Sequence, residues 1–378
     1  MTARRAAGAL IALLLLVAGP AAAAPQLRTA TPADDGAHPG PGDRTEWWFV
    51  GAVDPAQDLA VATALGARFP GGPPATVVFL YLPDGSVATV GAPRLLARDP
   101  ATGRADVHLG PDRFWSTGPG RYRLRVDMPA GIALAGASPG PVRLDLTIRA
   151  TAPGFTAGPL ALPGAQDLSW TVAAPSARVT GTIRAGDRTF RLRGAPGYSD
   201  HNFGEFDLGD AAHGGWDWSQ VHLPGGRSLV TGIVRPADPA LRDGALVLSD
   251  ASGRIADGRA DGARVRRGDW SAEGDHPYPR SVTLDARLSG GWRTTVRYTA
   301  RRASPLRFTL DGSSALVEVE ARTSGTLRRG GRVVARWRGA PAFYEYESTP
   351  LTRERDAAPG SVTRAARAAE DAVAQAAA

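Results

Sequence analysis

Residues 178–193 have the sequence RVTGTIRAGDRTFRLR. Apolar and polar side chains alternate on both sides of the Gly186-Asp187 pair. Alternation with a period of two is typical of a strand with one buried and one exposed face, and a glycine-containing pair between two such segments is typical of a tight turn. The stretch therefore predicts a β-hairpin. It decides the fold class because the same pattern recurs through most of the chain.

Further segments with alternating or β-branched sequences follow at intervals of roughly ten residues. They are 76–82, 86–96, 121–127, 143–149, 216–223, 228–234, 245–248, 282–288, 292–300, 316–327 and 332–338. This spacing favours antiparallel barrels or sandwiches over alternating βαβ units. The 46 Gly and 31 Pro residues also exclude long helical bundles for most of the length. Two Pro- and Gly-rich stretches, 32–42 and 152–164, are predicted to be linkers or long loops.

The two ends of the chain differ from its middle. A pair of arginines precedes an apolar run over residues 7–18, and small residues follow as far as Ala24. This pattern is typical of a secretory signal peptide. We therefore expect residues 1–24 to direct export across the cytoplasmic membrane, to the periplasm or the exterior; an uncleaved membrane anchor is the alternative. Residues 351–378 are an Ala-rich tail that is predicted to contain a short helix.

The composition excludes several classes of function. The net charge of +7 comes from 44 basic and 37 acidic residues, and every basic residue is Arg. The sequence shows neither a concentrated basic face nor a known nucleic-acid-binding motif, so nucleic acid is not a predicted partner. The absence of Cys excludes disulfides and thiolate sites, and the absence of Lys excludes a P-loop and Schiff-base chemistry. No cofactor is predicted.

Aromatic and acidic residues crowd together in two segments. One is Glu46-Trp47-Trp48-Phe49, and the other runs from Tyr198 through Asp200-His201-Asn202 to Trp216-Asp217-Trp218. Polar side chains at this density are costly to bury without partners or a function, and Trp suits a rigid apolar wall for a ligand. Core Trp residues and a hydrogen-bonded turn are the alternative interpretation.

A metal site is a weaker alternative for the same region. Its ligands would come from Asp200, His201, His213 and His222. Their spacing matches no standard metal-binding pattern, so no metal is predicted.

These segments resemble the motifs of a known family. Glu46-Trp47-Trp48-Phe49, preceded by His38-Pro39, resembles the first motif of AttH-type lipocalin-like proteins. Residues 200–204, Asp-His-Asn-Phe-Gly, followed by Trp216-Asp217-Trp218, resemble the central motif shared with carotenoid 1,2-hydratases, also called hydroxyneurosporene synthases. Tyr278-Pro279 and Tyr344-Glu345-Tyr346 resemble later landmarks of the family.

The resemblance implies an all-β fold of two packed lipocalin-like antiparallel β-barrels with a ligand cavity at or near their junction. We accordingly expect two β domains, residues 25–190 and 191–350. It also implies a terpenoid or other apolar, isoprenoid-like small molecule as the ligand. Members of the wider superfamily add water to alkenes, cyclise substrates, or are described as predicted secreted hydrolases, so the resemblance implies the fold more firmly than the reaction.

Hydration of an isoprenoid alkene requires a proton donor for carbon and surroundings that hold a cation. A dry apolar pocket keeps a carboxyl protonated, so Asp200 is the predicted catalytic acid, and His201 is predicted to hold it or to take a proton from water. Indole rings can face the cation. The predicted substrate-binding residues are Glu46, Trp47, Trp48, Tyr198, Asn202, Trp216, Trp218 and Glu345.

Several alternatives stay open at this point. The main alternative to a hydratase is a non-catalytic carrier or envelope protein that binds a lipid or another apolar ligand in the same cavity. Glu46 can instead form a buried ion pair with an Arg that closes the first barrel. Hydratase and hydrolase activity, peripheral membrane contact and the oligomeric state are likewise not distinguished by the sequence.

Overall fold

The structure is a computed structural model. It describes residues 26–39, 44–68, 73–96, 98–129, 131–136, 138–162, 166–206, 215–235, 242–271, 277–307 and 315–348. The predicted signal peptide and the Ala-rich tail with its predicted helix lie outside the described residues. Among the described residues, no helix is both long enough and apolar enough to cross a membrane.

The described residues form strands and a few 3-10 turns. The strands up to Gly204 are β1 (Gln26–Thr29), β2 (Thr45–Asp54), β3 (Leu59–Arg68), β4 (Ala75–Tyr81), β5 (Val87–Pro93), β6 (Asp106–Leu109), β7 (Asp112–Gly118), β8 (Arg121–Met128), β9 (Ile132–Gly136), β10 (Val142–Ala150), β11 (Phe155–Ala161), β12 (Asp167–Ala185) and β13 (Arg188–Gly204). The later strands are β14 (Trp216–Leu223), β15 (Arg227–Val234), β16 (Asp243–Asp250), β17 (Gly253–Arg259), β18 (Ala263–Trp270), β19 (Pro279–Leu288), β20 (Trp292–Arg307), β21 (Ala315–Arg329) and β22 (Arg332–Ser348). Short 3-10 helices cover Pro32–Asp35, Ala260–Gly262 and Ser289–Gly291.

The first sheet is antiparallel and has the order β6-β7-β8-β10-β12-β13-β2-β3-β4-β5-β9, with β11 pairing with β12 and β1 pairing with β11. The hairpin predicted from residues 178–193 is confirmed, because Ala185 pairs with Arg188 across the Gly186-Asp187 turn. Gly186 has a φ of 58°, a conformation that glycine adopts readily. A bridge between Leu96, just after β5, and Leu109 on β6 connects strands near opposite ends of this sheet.

The second sheet is also antiparallel, with the order β17-β16-β15-β14-β22-β21-β20-β19-β18. The predicted hairpin of 216–223 and 228–234 is confirmed as β14 and β15. The chain leaves the first sheet after Gly204 and enters the second at Trp216. The expected boundary at residues 190/191 falls inside β13, which stays in the first sheet along its whole length. The division into two folding domains stays a prediction.

Each sheet encloses an apolar core on one face, and the opposite faces pack against each other. One core includes Leu65, Phe114 and Leu144, and the other includes Leu229, Val296 and Tyr344. A third cluster, with Phe49, Tyr81, Trp218 and Phe343 among its members, lies where the sheets meet. The predicted all-β, lipocalin-like fold is therefore confirmed.

One local prediction was wrong. The stretch 152–164, predicted to be a linker or long loop, contains strand β11, which pairs with both β12 and β1. Phe155 and Ala157 in this strand are buried at the junction of the two sheets. Burial of these apolar side chains outweighs the low strand propensity of the surrounding Pro and Gly residues.

Polar contacts also join the two sheets. The Tyr81 hydroxyl donates to the Glu318 carbonyl at 2.7 Å. Arg302 on β20 donates from Nη1 to the Leu82 carbonyl at 2.6 Å, and its Nε bond of 2.8 Å to Glu320 within the second sheet holds it in place. Because these bonds are largely buried, they fix how the sheets face each other and therefore the shape of the space between them.

Candidate active site

A cavity of about 40 Å³ lies between the two sheets. Its wall contains four indole rings and three polar side chains, and the rest of the wall is apolar or glycine. The indoles belong to Trp47, Trp170, Trp216 and Trp218, and the polar side chains to Asp200, Asn202 and Glu345. Trp47, Asn202 and Trp216 are only half-buried, so they mark the mouth. Asp200 is 3% exposed and lies deeper.

Strand alternation and register bring these side chains to one face. In the first sheet, Asp200 lies opposite Phe49, and Asn202 lies opposite Trp47. In the second sheet, Trp218 lies opposite Glu345 on β22. Alternate residues of a strand share a face, so each pair projects into the space between the sheets. The predicted site residues Trp47, Asn202, Trp216, Trp218 and Glu345 are therefore brought together with Asp200.

A glycine makes room for one wall of the cavity. A Cβ atom at Gly232 would lie 2.9 Å from the Trp170 ring, closer than carbon atoms pack. Gly232 on β15 thus lets the Trp170 indole of the first sheet approach the backbone of the second closely.

Asp200 accepts three hydrogen bonds in this cavity. The Trp170 indole donates to Oδ2 at 2.8 Å, and the Tyr198 hydroxyl donates to the same oxygen at 2.7 Å. The Asn202 amide donates to Oδ1 at 3.0 Å. Tyr198 thus supports the acid and packs on Trp218, with ring centroids 5.1 Å apart. These contacts fix the orientation of the carboxyl group within the aromatic wall.

Burial raises the pKa of Asp200 to about 7. The bonds from Trp170 and Tyr198 act in the opposite direction because they stabilise the charged form, and the negative charge of Glu345 adds to the rise. The carboxyl group can therefore hold or release a proton near neutral pH, which is the property that a general acid needs.

Glu345 is the second acidic group of the cavity wall. Its Oε2 accepts the Trp216 indole N–H at 2.9 Å. On the next strand, Glu318 lies directly opposite Glu345 and is fully buried. Burial, together with the neighbouring carboxyl of Glu345, raises the pKa of Glu318 well above its ordinary value. Two carboxyl groups therefore lie side by side at one wall.

Three predicted site residues lie in a different layer. Glu46, Trp48 and His201 project from the opposite face of the same sheet, away from the cavity. The His201 ring stacks on Trp48 with centroids 4.1 Å apart, and its Nε2 lies 3.1 Å from Glu46 Oε1. His201 therefore does not contact Asp200, and Glu46 and Trp48 do not line the cavity as predicted, because neighbouring residues of a strand face opposite sides.

This inner layer explains the role of Glu46 in the fold. The His38 backbone N–H donates to Glu46 Oε1 at 2.8 Å, so the carboxylate ties the segment before β2 to β13. The sequence left open whether Glu46 pairs with a buried Arg; in the structure its partner is His201. Burial lowers the pKa of His201, while Glu46 opposes that shift.

The structure also bears on the weaker metal alternative. Asp200 and His201 diverge to opposite faces, His213 lies outside the described residues, and the His222 Nε2 contacts the Gln220 amide at 3.1 Å. Within the described part of the chain, His38, Glu46 and His201 bring possible ligand atoms within 4.8 Å of one another. In this cluster Glu46 Oε1 accepts the His38 backbone N–H and lies 3.1 Å from His201 Nε2, while the His38 ring Nδ1 is 3.9 Å from the same oxygen.

Sequence reasoning missed two important residues, Trp170 and Glu318. Trp170 occurs in the segment Leu168-Ser169-Trp170, which has no crowding of polar residues to attract attention. Glu318 offered a usable signal, because a carboxylate alternates with valines inside a predicted strand, in Val317-Glu318-Val319. An acidic residue in such an apolar strand indicates either a buried partner or a site.

The two packed antiparallel sheets, with a cavity at their junction, define a lipocalin-like β protein. A crystal structure described as a proposed AttH from Nitrosomonas europaea is similar, with a TM-score of 0.56 and 21% identity over 84% of this chain and 96% of that one. Kievitone hydratase from Nectria haematococca is similar with a TM-score of 0.53 and 13% identity, over 81% of this chain and 89% of that one. The crystal structure of CghA with Sch210972 is also similar, with a TM-score of 0.54 and 13% identity, over 85% of this chain and 98% of that one.

At these identities the likenesses show the fold alone. Residues 31–338 match the family described as "Domain of unknown function (DUF7064)". The chain belongs to that family. A search of curated proteins found no match.

Proposed function

We propose that the protein is an exported enzyme of the hydratase type, which binds an apolar, isoprenoid-like molecule at the junction of the two sheets and adds water to an alkene. One observation carries this proposal: the buried carboxyl of Asp200, with its raised pKa, lies in a cavity walled by four indoles. A protonated acid beside an apolar surface is the arrangement that protonation of carbon requires. Export is proposed from the N-terminal sequence pattern alone.

The reaction begins with transfer of the Asp200 proton to one alkene carbon. The C=C π electrons form the new C–H bond, and the other alkene carbon becomes cationic. The indole faces of Trp47, Trp216 and Trp218 stabilise this cation, each by roughly 1–2 kcal/mol when desolvated. Water then attacks the cation and loses a proton, so that alkene and water give an alcohol.

The size of the cavity limits how the substrate binds. A volume of about 40 Å³ holds a small reacting segment rather than a whole terpenoid. The half-buried rings of Trp47 and Trp216 at the mouth provide an apolar surface for the remainder of the molecule. The substrate therefore enters with its alkene end first, and an isoprenoid end group of the kind that carotenoid 1,2-hydratases act on suits this arrangement.

Support also comes from the likeness in fold to a protein named kievitone hydratase. A hydrolase using a histidine-activated nucleophile is less well supported. His201, which such a mechanism would draw on, faces Glu46 in the inner layer and is turned away from the cavity.

The test is turnover of a panel of isoprenoid alkenes in oxygen-18 water, with the label detected in the alcohol product. Asp200→Asn keeps the shape of the side chain and should lower the rate at least roughly 100-fold. Asp145→Asn, at an exposed residue on the outside of the first sheet, is the matched control. Undiminished turnover by Asp200→Asn would remove Asp200 from the mechanism and with it the proposed reaction.

A non-catalytic carrier is the second candidate. Three donors already satisfy the Asp200 carboxylate, as expected for a polar group whose role is structural. A carrier predicts that Asp200→Asn leaves the affinity for an apolar probe unchanged, that Trp216→Ala weakens it, and that no labelled alcohol forms with any alkene of the panel.

A further inference from the structure

We propose that Glu345 and Glu318 form a proton-sharing carboxyl pair that acts as the base of the site, taking the proton from the attacking water. This inference rests on the proposed function and assigns a residue to its second step. Sequence reasoning placed Glu345 only in substrate binding, and it did not identify Glu318.

Register brings the two carboxyl groups together. Glu318 on β21 and Glu345 on β22 are direct cross-strand partners, and Trp218 on β14 is the next partner in the same row. Side chains at such positions have Cβ atoms about 5 Å apart and lie on the same face. The neighbours Val317 and Val319 point into the core of the second sheet, so Glu318 faces the junction.

The surroundings of Glu318 require a proton. Among the described residues, no N–H or O–H group lies within hydrogen-bonding distance of either carboxyl oxygen, and Glu318 is fully buried. Its polar neighbour is the Glu345 carboxyl. Glu320, two residues further along, is equally buried but pairs with Arg302 at 2.8 Å. Since two buried carboxylates cannot both ionise side by side, Glu318 keeps a proton and donates it to Glu345.

Glu345 then presents a charged carboxylate to the cavity. Its Oε2 accepts the Trp216 indole N–H, and its side chain lines the same space as Asp200. Glu318 lies behind it and can take up or release the shared proton. The cavity thus contains an acid on the first sheet and a base on the second.

The assignment completes the proton balance of hydration. Asp200 loses its proton to the alkene carbon and becomes a carboxylate. Water forms the C–O bond at the cationic carbon and gives one proton to Glu345, whose charge is neutralised. The alcohol leaves, Glu345 releases its proton, and Asp200 takes up one from solvent, which restores the starting state.

The first test measures the pair without any substrate. The nitrogen-15 NMR signal of the Trp216 indole reports the charge of Glu345, because the N–H donates to it. We expect its titration midpoint to lie above the ordinary Glu pKa, because burial raises the pKa of Glu345. Glu318→Gln should raise this midpoint, because an amide donates a weaker hydrogen bond to the Glu345 carboxylate than the protonated Glu318 carboxyl does. Glu205→Gln, at an exposed residue, should not change it. A wild-type midpoint at or below the ordinary value would overturn the proposal.

The second test uses N,N-dimethyloctylamine, which places a cation where the reaction would form one. We expect wild-type protein to bind this ammonium ion more tightly than octan-1-ol. In Glu345→Gln, the ratio of the affinity for the amine to the affinity for octan-1-ol should fall roughly tenfold, which corresponds to about 1.4 kcal/mol. In Glu318→Gln, this ratio should stay at the wild-type value. An unchanged preference in Glu345→Gln would show that its charge does not face the ligand.

Turnover separates failure of this inference from failure of the proposed function. We expect Glu345→Gln to lose roughly 100-fold in rate. In Glu318→Gln, the acidic limb of the pH–rate profile should move to higher pH, because Glu345 loses the hydrogen bond from the Glu318 carboxyl. If Asp200→Asn is inactive while both glutamate variants keep the wild-type rate and profile, the pair is not the base and hydration stands. If Asp200→Asn is fully active, the proposed function fails, and the NMR and amine experiments still decide the state of the pair.

Discussion

Asp200 and His201 are consecutive residues of β13, yet their side chains lie in different layers of the protein. Asp200 accepts bonds from Trp170 and Tyr198 between the sheets, whereas His201 lies 3.1 Å from Glu46 inside the first sheet. The Asp-His-Asn motif therefore serves two purposes. Its first and third residues, Asp200 and Asn202, line the cavity. Its middle residue, His201, contacts Glu46 on the neighbouring strand and so stabilises the sheet that carries them.

The raised pKa of Asp200 predicts a specific dependence of stability on pH. Below about pH 3 the carboxyl is protonated in both the folded and the unfolded state. As pH rises towards the folded-state pKa of about 7, the unfolded state ionises more readily, so the stabilisation is lost. Relative to wild type, the free energy of unfolding of Asp200→Asn should therefore rise by about 3 kcal/mol between pH 5 and pH 8. Urea unfolding measures this difference.

The control for that experiment is Asp145→Asn, because Asp145 is 57% exposed and pairs with Arg123 at the surface. Its difference from wild type should stay nearly constant over the same range. A constant difference for Asp200→Asn as well, or a difference that falls with pH, would contradict the raised pKa.

The adjacent residues Trp47 and Trp48 should respond differently to substitution. Trp48 is 0% exposed and stacks on His201 in the inner layer, so Trp48→Ala should lower the free energy of unfolding by about 3–5 kcal/mol. Trp47 lies at the mouth of the cavity, 6.4 Å from Trp216 between ring centroids. Trp47→Ala should mainly weaken binding of the apolar fluorescent probe N-phenyl-1-naphthylamine. Equal losses of stability in the two variants would argue against separate layers.

His201 should prove structural in character. His201→Phe leaves the buried Glu46 carboxylate without its imidazole partner, so the protein should lose about 1–3 kcal/mol of stability. The rate per folded molecule and its pH profile should match wild type, because the ring faces away from the cavity. His108→Phe, at a partly exposed site on β6, is the comparison. A loss of turnover in His201→Phe without a loss of stability would show that His201 takes part in the reaction.

Arg302 should be important for holding the sheets together. It is 9% exposed, and its removal leaves Glu320 buried with less compensation for its charge. Arg302→Met should therefore cost about 3–5 kcal/mol, whereas Arg123→Met at an exposed pair should cost less than about 1 kcal/mol. Chemical unfolding of both variants gives the comparison, and equal effects would show that Arg302, with its bonds to Glu320 and the Leu82 carbonyl, does not stabilise the junction.

The fold was predictable because local patterns and tertiary contacts agree. The alternation in 178–193 and the Gly186-Asp187 turn specify a hairpin that the register confirms. Each alternating strand also has one apolar face that must be buried, which favours antiparallel sheets packed against each other. The strand at 155–161 was missed because its pairing with β12 and β1 is a tertiary effect, and Pro and Gly obscure the local pattern.

The site was only partly predictable for a related reason. Crowding of Asp200 and Trp216 correctly indicated a shared location, since both segments carry costly side chains. In a strand, the side chains of Asp200 and His201 face opposite sides, so the alternation alone predicts that they lie apart. The family motif contains both residues and therefore suggested that they act together. The sequence shows Glu318 as an acidic residue in an apolar strand, but its partner Glu345 is identified only by the register of β21 and β22.

The most direct test is titration of the Asp200 side chain itself by carbon-13 NMR of protein labelled at the aspartate carboxyl carbons, with the signal assigned by its loss in Asp200→Asn. The account predicts a midpoint near pH 7 for this carboxyl. A midpoint below about 5, in the range of ordinary exposed aspartates, would contradict it, because Asp200 would then be ionised at neutral pH and would have no proton to give.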